Sequence, residues 1–375
     1  MESKMLDGRK LLITLPEKVN TSNAQSLGEE IKELIEVNKP NKVIFNATDL
    51  VYISSTGLRV ILQTKKMKPE TMVAEVSPEI YAIFSMTGFT DIMDVALKLK
   101  QVSVDGCELL GSGKNGSVYR LTDDSIIKVY NEKNTYDDIS HERELTKKSF
   151  VAGIPTALSF EIVKVGDNYG TLYELINADS MIGHIKRNPE SKYSELDRFI
   201  ALMKQVHELP IDEKGLTDQK GNFIKWADEL SDDFSADENK KLMNIINSVP
   251  DSNHVIHGDF HMGNIMETDD DLIVIDMDTL GFGDPVFEMV HLYCTLCGFR
   301  IINPEDDLFD IGVNEYPVIW KYIFEGYYED EEVRGALFDK VYTLSLLRLY
   351  RYALKHNLAE DKCNKLRAQL VEKLN

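Results

Sequence analysis

The segment His257–Asp276, HGDFHMGNIMETDDDLIVID, limits what this chain can fold into more than any other stretch. It sets His, Asp, His and Asn among apolar residues, then reads as strand, acidic turn and strand ending on an Asp. A plain buried core would not select those polar groups, because each needs a partner or destabilises the fold. A metal centre, a catalytic loop or a polar turn would select them. Zinc would need a third ligand at consistent spacing beside His257 and His261, and none is obvious. A catalytic loop uses every group. Asp259 can orient a hydroxyl and accept its proton, while Asn264 and Asp276 offer the oxygen ligands that a hard divalent cation prefers. His257 joins this set as a hydrogen-bonding brace of the loop.

Upstream, QVSVDGCELLGSGKNGSVYRLTDDSIIKVYN places Gly111, Gly113 and Gly116 in GxGxxG spacing. A dinucleotide-binding version should open a helix and meet an acidic residue about 20 positions later. Here the glycines lead into SVYRL, alternating and β-branched, so they join two antiparallel strands. That is the arrangement of a kinase glycine-rich loop, whose backbone lies over ATP phosphates where a Cβ would obstruct. Lys128, within the apolar strand IIKV, matches the lysine that contacts the α- and β-phosphates. The next helix, over YDDISHERELTKKSFVAGIP, must supply a carboxylate for that lysine. Glu144 is the first choice and Glu142 the second. Two strands across GDNYG then lead into YELIN, a hinge where the backbone from Glu174 to Ile176 could bond an adenine edge.

Catalytic loop, hairpin and Asp276 follow in the order of the eukaryotic-like kinase superfamily. HGDFHMGNIM, LIVIDMDTLGFGDPVFEMV and the long helical tail resemble its aminoglycoside phosphotransferase-like, choline-kinase-like branch, over about residues 101–375. The resemblance implies a two-lobed kinase fold that phosphorylates a small-molecule hydroxyl with ATP and Mg²⁺. A protein kinase should have DFG and a long activation segment closed by APE. IDMD stands in its place, and GFGDP follows within a few residues. Asp278 is either a second metal neighbour or a structural hydrogen-bonding group. Asp284 should cap the helix from Pro285, and Glu288 stands where this branch often has Asp. Helices within residues 178–250 should wall the acceptor pocket.

The first hundred residues alternate strands and helices. KLLITL, NKVIFNAT and ETMVAEV read as strands, with a helix from Thr21 or Ser22, a second from SSTGL, and a third capped by Ser77. VIFNATDLVYISSTGLRVIL resembles the STAS domain, the fold of bacterial antagonists of anti-sigma factors, over about residues 1–98. In that family the serine opening the helix is a phosphorylation switch, which corresponds to Ser55. Switchable members usually carry Asp just before it, where this chain has Ser54. The bland reading is that Ser54, Ser55 and Thr56 cap the helix.

The expected fold class is therefore multidomain, α/β and α+β. A STAS-like α/β sandwich over residues 1–100 precedes a kinase-like N-lobe over 101–177 and a helical C-lobe with the catalytic loop over 178–375. Charge divides at the same place. Residues 1–100 balance 13 basic against 13 acidic residues, leaving 29 basic against 50 acidic beyond them. That argues against nucleic acid or an anionic membrane as partner and would suit a cationic acceptor. No apolar run reaches the roughly 18 residues of a membrane span, and the start is no signal peptide. Cys294 and Cys297 form a CxxC inside an apolar helix without a second pair, so a reduced, cytoplasmic protein is expected. Two other readings compete: a protein Ser/Thr kinase acting on its own STAS domain, and a nucleotide sensor without catalysis.

Overall fold

The structure is a computed structural model that describes residues 2–113, 115–176, 178–268 and 271–375. The chain divides into two compact units, residues 1–103 with 163–166, and residues 104–162 with 167–375.

The first unit is built on a five-stranded sheet, β1 (Ser3–Leu6), β2 (Lys10–Thr14), β3 (Lys42–Asn46), β4 (Thr71–Val76) and β5 (Asp94–Leu97), in that order. Only the β1–β2 pair is antiparallel. The parallel pairs need crossovers, which are α1 (Ala24–Asn38), α2 (Ser55–Met67) and α3 (Pro78–Met86). Alternation decides the core: Leu11 and Ile13, Val43 and Phe45, and Val73 are buried between more exposed neighbours. Ser54 caps α2 through Gly57 N (3.3 Å) and Ser77 caps α3 through Ile80 N (3.4 Å). α1 begins later than expected, because Asn23 Oδ1 turns back to accept from Asn20 N at 2.8 Å.

The second unit opens with β6 (Glu108–Gly113), β7 (Gly116–Arg120) and β8 (Ser125–Tyr130). Helix α4 (Tyr136–Ala152), β9 (Ser159–Val165) and β10 (Asn168–Glu174) complete this lobe. The sheet order is β9-β10-β8-β7-β6. A capping box of Thr135 and Asp138 starts α4, and Gly153 ends it in the left-handed conformation. The helical lobe contains α5 (Met181–Arg187), α6 (Lys192–His207), α7 (Gln219–Glu229) and α8 (Ala236–Asn247). After the catalytic loop come the hairpin β11 (Ile265–Glu267) and β12 (Leu272–Val274). Last are α9 (Pro285–Tyr293), the π-helical turn Cys294–Gly298, α10 (Phe299–Ile302), α11 (Glu315–Tyr327), α12 (Glu331–Lys355) and α13 (Glu360–Leu374). Asp284 caps α9 through Val286 N (2.9 Å). Pro285–Ile302 has the length and mean hydropathy of a spanning helix, yet it carries Glu288 and 67% of it is buried inside the protein. It is the central core helix of this lobe.

Candidate active site

Lys128 sits in mid-strand, opposite Val118 on one side and Thr171 on the other, so a sheet rather than a loop sets its position. Its Nζ lies 2.8 Å from Glu142 Oε1 and 3.1 Å from Asp276 Oδ1. The carboxylate is Glu142 and not Glu144. Helix α4 buries Ile139, Glu142, Leu145, Thr146 and Ser149 along one face, and turns Glu144 to solvent. Burial opposes the charge on Lys128, but Asp276 and Glu142 outweigh it and hold its pKa above the ordinary lysine value. The amine stays cationic.

The glycines are placed unequally. Gly111 and Gly113 are exposed, with open space where a Cβ would stand. Gly116 is needed by its own sheet, since a Cβ there would lie 2.1 Å from the Val129 carbonyl oxygen. At the tip of the hairpin Asn115 Nδ2 donates to Asp278 Oδ2 at 3.4 Å. The expected hinge is partly occupied by the chain itself. Leu158 N–H bonds the Glu174 carboxylate (3.1 Å), Leu175 N–H bonds Asp124 O (2.9 Å), and Ile176 O accepts from Ala178 N (2.9 Å). Asn177 of that hinge, and Asp269 and Asp270 of the acidic turn, lie outside the described residues.

The catalytic loop is organised from behind. Glu288, fully buried in α9, accepts the backbone N–H groups of His257 (2.6 Å), Gly258 (3.0 Å) and Phe260 (3.4 Å). Burial opposes its ionisation, but His207, with Nε2 3.5 Å away, and His257 and His291 keep its pKa below the usual carboxylate range. Gly258 takes φ 82°, and a Cβ there would meet Thr279 O at 2.7 Å. His257 is 1% exposed; its Nδ1 accepts from Asp259 N (3.2 Å), and its Nε2 therefore donates to Ile275 O (3.1 Å). It ties the loop to the strand that leads to Asp276.

Three residues then converge. Ile275 N–H donates to Asn264 O (2.9 Å), which sets Asn264 beside Asp276, itself in the left-handed region at φ 66°. Asn264 Nδ2 donates to Asp259 O at 3.0 Å, which leaves the amide oxygen to face a cation. Burial raises the pKa of Asp259, but His261 (Nε2 3.5 Å from Oδ2), His257 and Arg348 outweigh it and bring the carboxyl down to about 2. Desolvation in the cleft, then the charges of Asp276 and Glu142, push Asp278 up to about 7, although its outer face is open to solvent. Glu142, Asp276 and Asp278 thus crowd more negative charge around Lys128 than one ammonium offsets. A divalent cation held by Asp276 and Asn264 fits that imbalance.

Ser55 is the exposed first residue of α2 in the first unit, and Ser54 makes the capping bond there. The motif reading undervalued Glu288, His261, Asn115 and Arg348. The signal for two of them was present: Glu288 and Arg348 are lone charges in the apolar runs VFEMVHLY and SLLRLY.

The chain belongs to the phosphotransferase enzyme family, whose model (APH) matches residues 106–316, more than half of its length. Residues 4–102 match the STAS domain. BtrV of Bordetella bronchiseptica, a candidate anti-sigma factor antagonist, is 33% identical over 95 residues, 24% of this chain and 80% of that protein. Among solved structures, ADP-bound aminoglycoside phosphotransferase APH(2'')-Ib aligns over 80% of this chain and 98% of its own, at 14% identity and a TM-score of 0.47. A candidate fructosamine-3-kinase from Haemophilus somnus aligns over 72% and 90%, at 15% identity and a TM-score of 0.44. The molecule is a STAS domain followed by a kinase-like phosphotransferase fold.

Proposed function

We propose that the chain transfers the γ-phosphoryl group of ATP to a hydroxyl of a small molecule, dependent on Mg²⁺. The observation that carries this reading is the ion cluster of Lys128 with Glu142 and Asp276, joined to Asp259 and Asn264 through the Asn264–Ile275 backbone bond. In this reading Lys128, held by Glu142, contacts the α- and β-phosphates. The hairpin carrying Gly111, Gly113 and Gly116 covers the phosphates, and the backbone from Glu174 to Ile176 meets the adenine. A Mg²⁺ ion held by Asp276 and Asn264 would neutralise charge on the phosphate oxygens. Asp259, ionised at neutral pH, orients the acceptor hydroxyl. The acceptor oxygen bonds the γ-phosphorus as the bridging bond to ADP breaks, ADP leaves with that electron pair, and the hydroxyl proton passes to Asp259. His257 acts through the loop it braces.

The division into 1–100, 101–177 and 178–375 belongs to the same proposal, as does a cytoplasmic location, which four free cysteines suit. The STAS domain would dock a protein partner. Ser55 is its candidate phosphorylation site, because its hydroxyl is exposed at a helix start, where an added phosphate meets free N–H groups. The charge balance of the second part suits a cationic acceptor.

The test is ADP release from ATP with a panel of amino alcohols, sugars, hydroxy acids and aminoglycosides, with Mg²⁺ and with EDTA. Turnover that needs Mg²⁺ and is lost in Asp276→Asn supports the reading. Turnover that survives EDTA contradicts it.

A further inference from the structure

The pair of Lys128 and Glu142 joins two long side chains, and ordering both costs conformational entropy. Helix α4 itself is tied at other points. Thr146 Oγ1 donates to Glu142 O at 3.0 Å, and Arg143 Nη2 donates to Phe160 O at 2.8 Å. Those bonds place the helix and leave the Glu142 carboxylate to be placed by what it touches.

The residue that meets it from the sheet, besides Lys128, is Tyr173. Register sets this contact: in the β8–β10 ladder Lys128 stands opposite Thr171, and Ile126 stands opposite Tyr173. Residues two apart on a strand share a face, so Tyr173 emerges beside Lys128 on the side that α4 covers. Its Oη donates to Glu142 Oε1 at 3.4 Å, the same oxygen that accepts from Lys128 Nζ at 2.8 Å. The Tyr130 ring, on the same face, has its centroid 5.2 Å from the amine. Burial, then Tyr130 and Glu142, hold the Tyr173 phenol above its ordinary pKa, so it keeps the proton it donates.

Tyr173 differs from Lys128 in being rigid. Its ring is rooted in β10, which lies between β9 and β8 in the sheet. The chain is held just beyond it, where Leu158 N–H bonds the Glu174 carboxylate and Leu175 N–H bonds Asp124 O. An aromatic side chain has few torsions to order, so a hydroxyl at its tip is a fixed point. Tyr173 also stands immediately before the Glu174–Ile176 backbone, so one residue adjoins both ends of the proposed nucleotide site. Phe at this position would keep the ring and the strand and lose only the bond to Glu142.

We propose that Tyr173 is a positioning residue of the nucleotide site, its hydroxyl fixing the Glu142 carboxylate so that Lys128 is held ready for the phosphates. This rests on the phosphotransferase reading above and needs from it only that Mg-ATP binds. The full chain is titrated calorimetrically with Mg-ATP, with adenosine as a competing ligand, for wild type, Tyr173→Phe, Glu142→Ala and the double variant. Tyr173→Phe should weaken Mg-ATP roughly 5- to 10-fold, through loss of one hydrogen bond to a charged group, and leave competition by adenosine within about twofold. In the Glu142→Ala background the same change should alter Mg-ATP affinity by less than about twofold, because the carboxylate it serves is gone. Unchanged Mg-ATP affinity in Tyr173→Phe, or an undiminished loss in the Glu142→Ala background, overturns the proposal. So does equal weakening of Mg-ATP and adenosine, which would give the hydroxyl to the adenine end or to general packing. A wild type that binds no Mg-ATP overturns the phosphotransferase reading and this one with it, whereas the other contrary results overturn this one alone.

Discussion

The two units treat buried polarity in opposite ways. In the first, the buried polar residues are Thr64 and Thr71, whose hydroxyls bond carbonyls in their own neighbourhood, Val60 O at 3.0 Å and Lys68 O at 2.6 Å. The second buries Glu142, Glu195, Glu288, His207, His257 and His291. A buried charge destabilises a fold unless it is paired, so charges are held inside where their geometry is needed. Glu288 is the clearest case: it fixes three N–H groups of the loop that carries Asp259. The first unit keeps charge out of its core, and the second holds charges in place inside it.

The largest expected effect breaks the second unit's charge cluster. Glu142→Gln should lower turnover by roughly 10²-fold, because Lys128 loses its anchor, while Glu144→Gln stays near wild type. Steady-state ADP release separates the two, and equal loss in both would mean that α4 is rotated. Next, Glu288→Ala leaves three buried donors without their acceptor and should destabilise the second unit by about 2–4 kcal/mol in urea melts. The matched probe of the first unit is Gly57→Ala, whose Cβ would stand 2.7 Å from Val19 Cγ1 and 2.8 Å from Ile53 Cγ1. Overpacking there should cost about 1–3 kcal/mol without altering nucleotide binding. Ser54→Ala removes a cap and should cost about 1 kcal/mol. The smallest effect is on pH. The folded pKa of Asp259 is depressed to about 2, so its stabilisation is present above the unfolded value of about 4 and is lost as pH falls through 2. Between about pH 5 and 8 a pH–rate profile should carry no limb from this group.

Much of the site was legible because the motif is local. Asp259, Asn264 and Asp276 fall within one short loop and hairpin, and the strand alternation around Lys128 placed it in a sheet. Glu142 was legible too, although Glu144 read as the better candidate. Ile139, Leu145 and Ser149 mark the buried stripe of α4, and Glu142 lies three residues from the first two. Arg348 was not, since its charge acts on Asp259 from a helix that lies far along the chain and carries no motif. The start of α1 was misjudged for a different reason: Asn23 uses its side chain on Asn20 and displaces the expected cap. In the hinge, bonds such as Ala178 N–H to Ile176 O form between non-repeating backbone groups, which no periodicity announces.

The most direct test of the account is a single-turnover assay of wild type and Asp259→Asn with radiolabelled ATP and Mg²⁺, on whichever acceptor the panel identifies, with nucleotide affinity measured in parallel. The account predicts that Asn at this position leaves ATP binding within a few-fold and slows transfer by roughly 10²- to 10⁴-fold. Transfer at the wild-type rate in Asp259→Asn would contradict it.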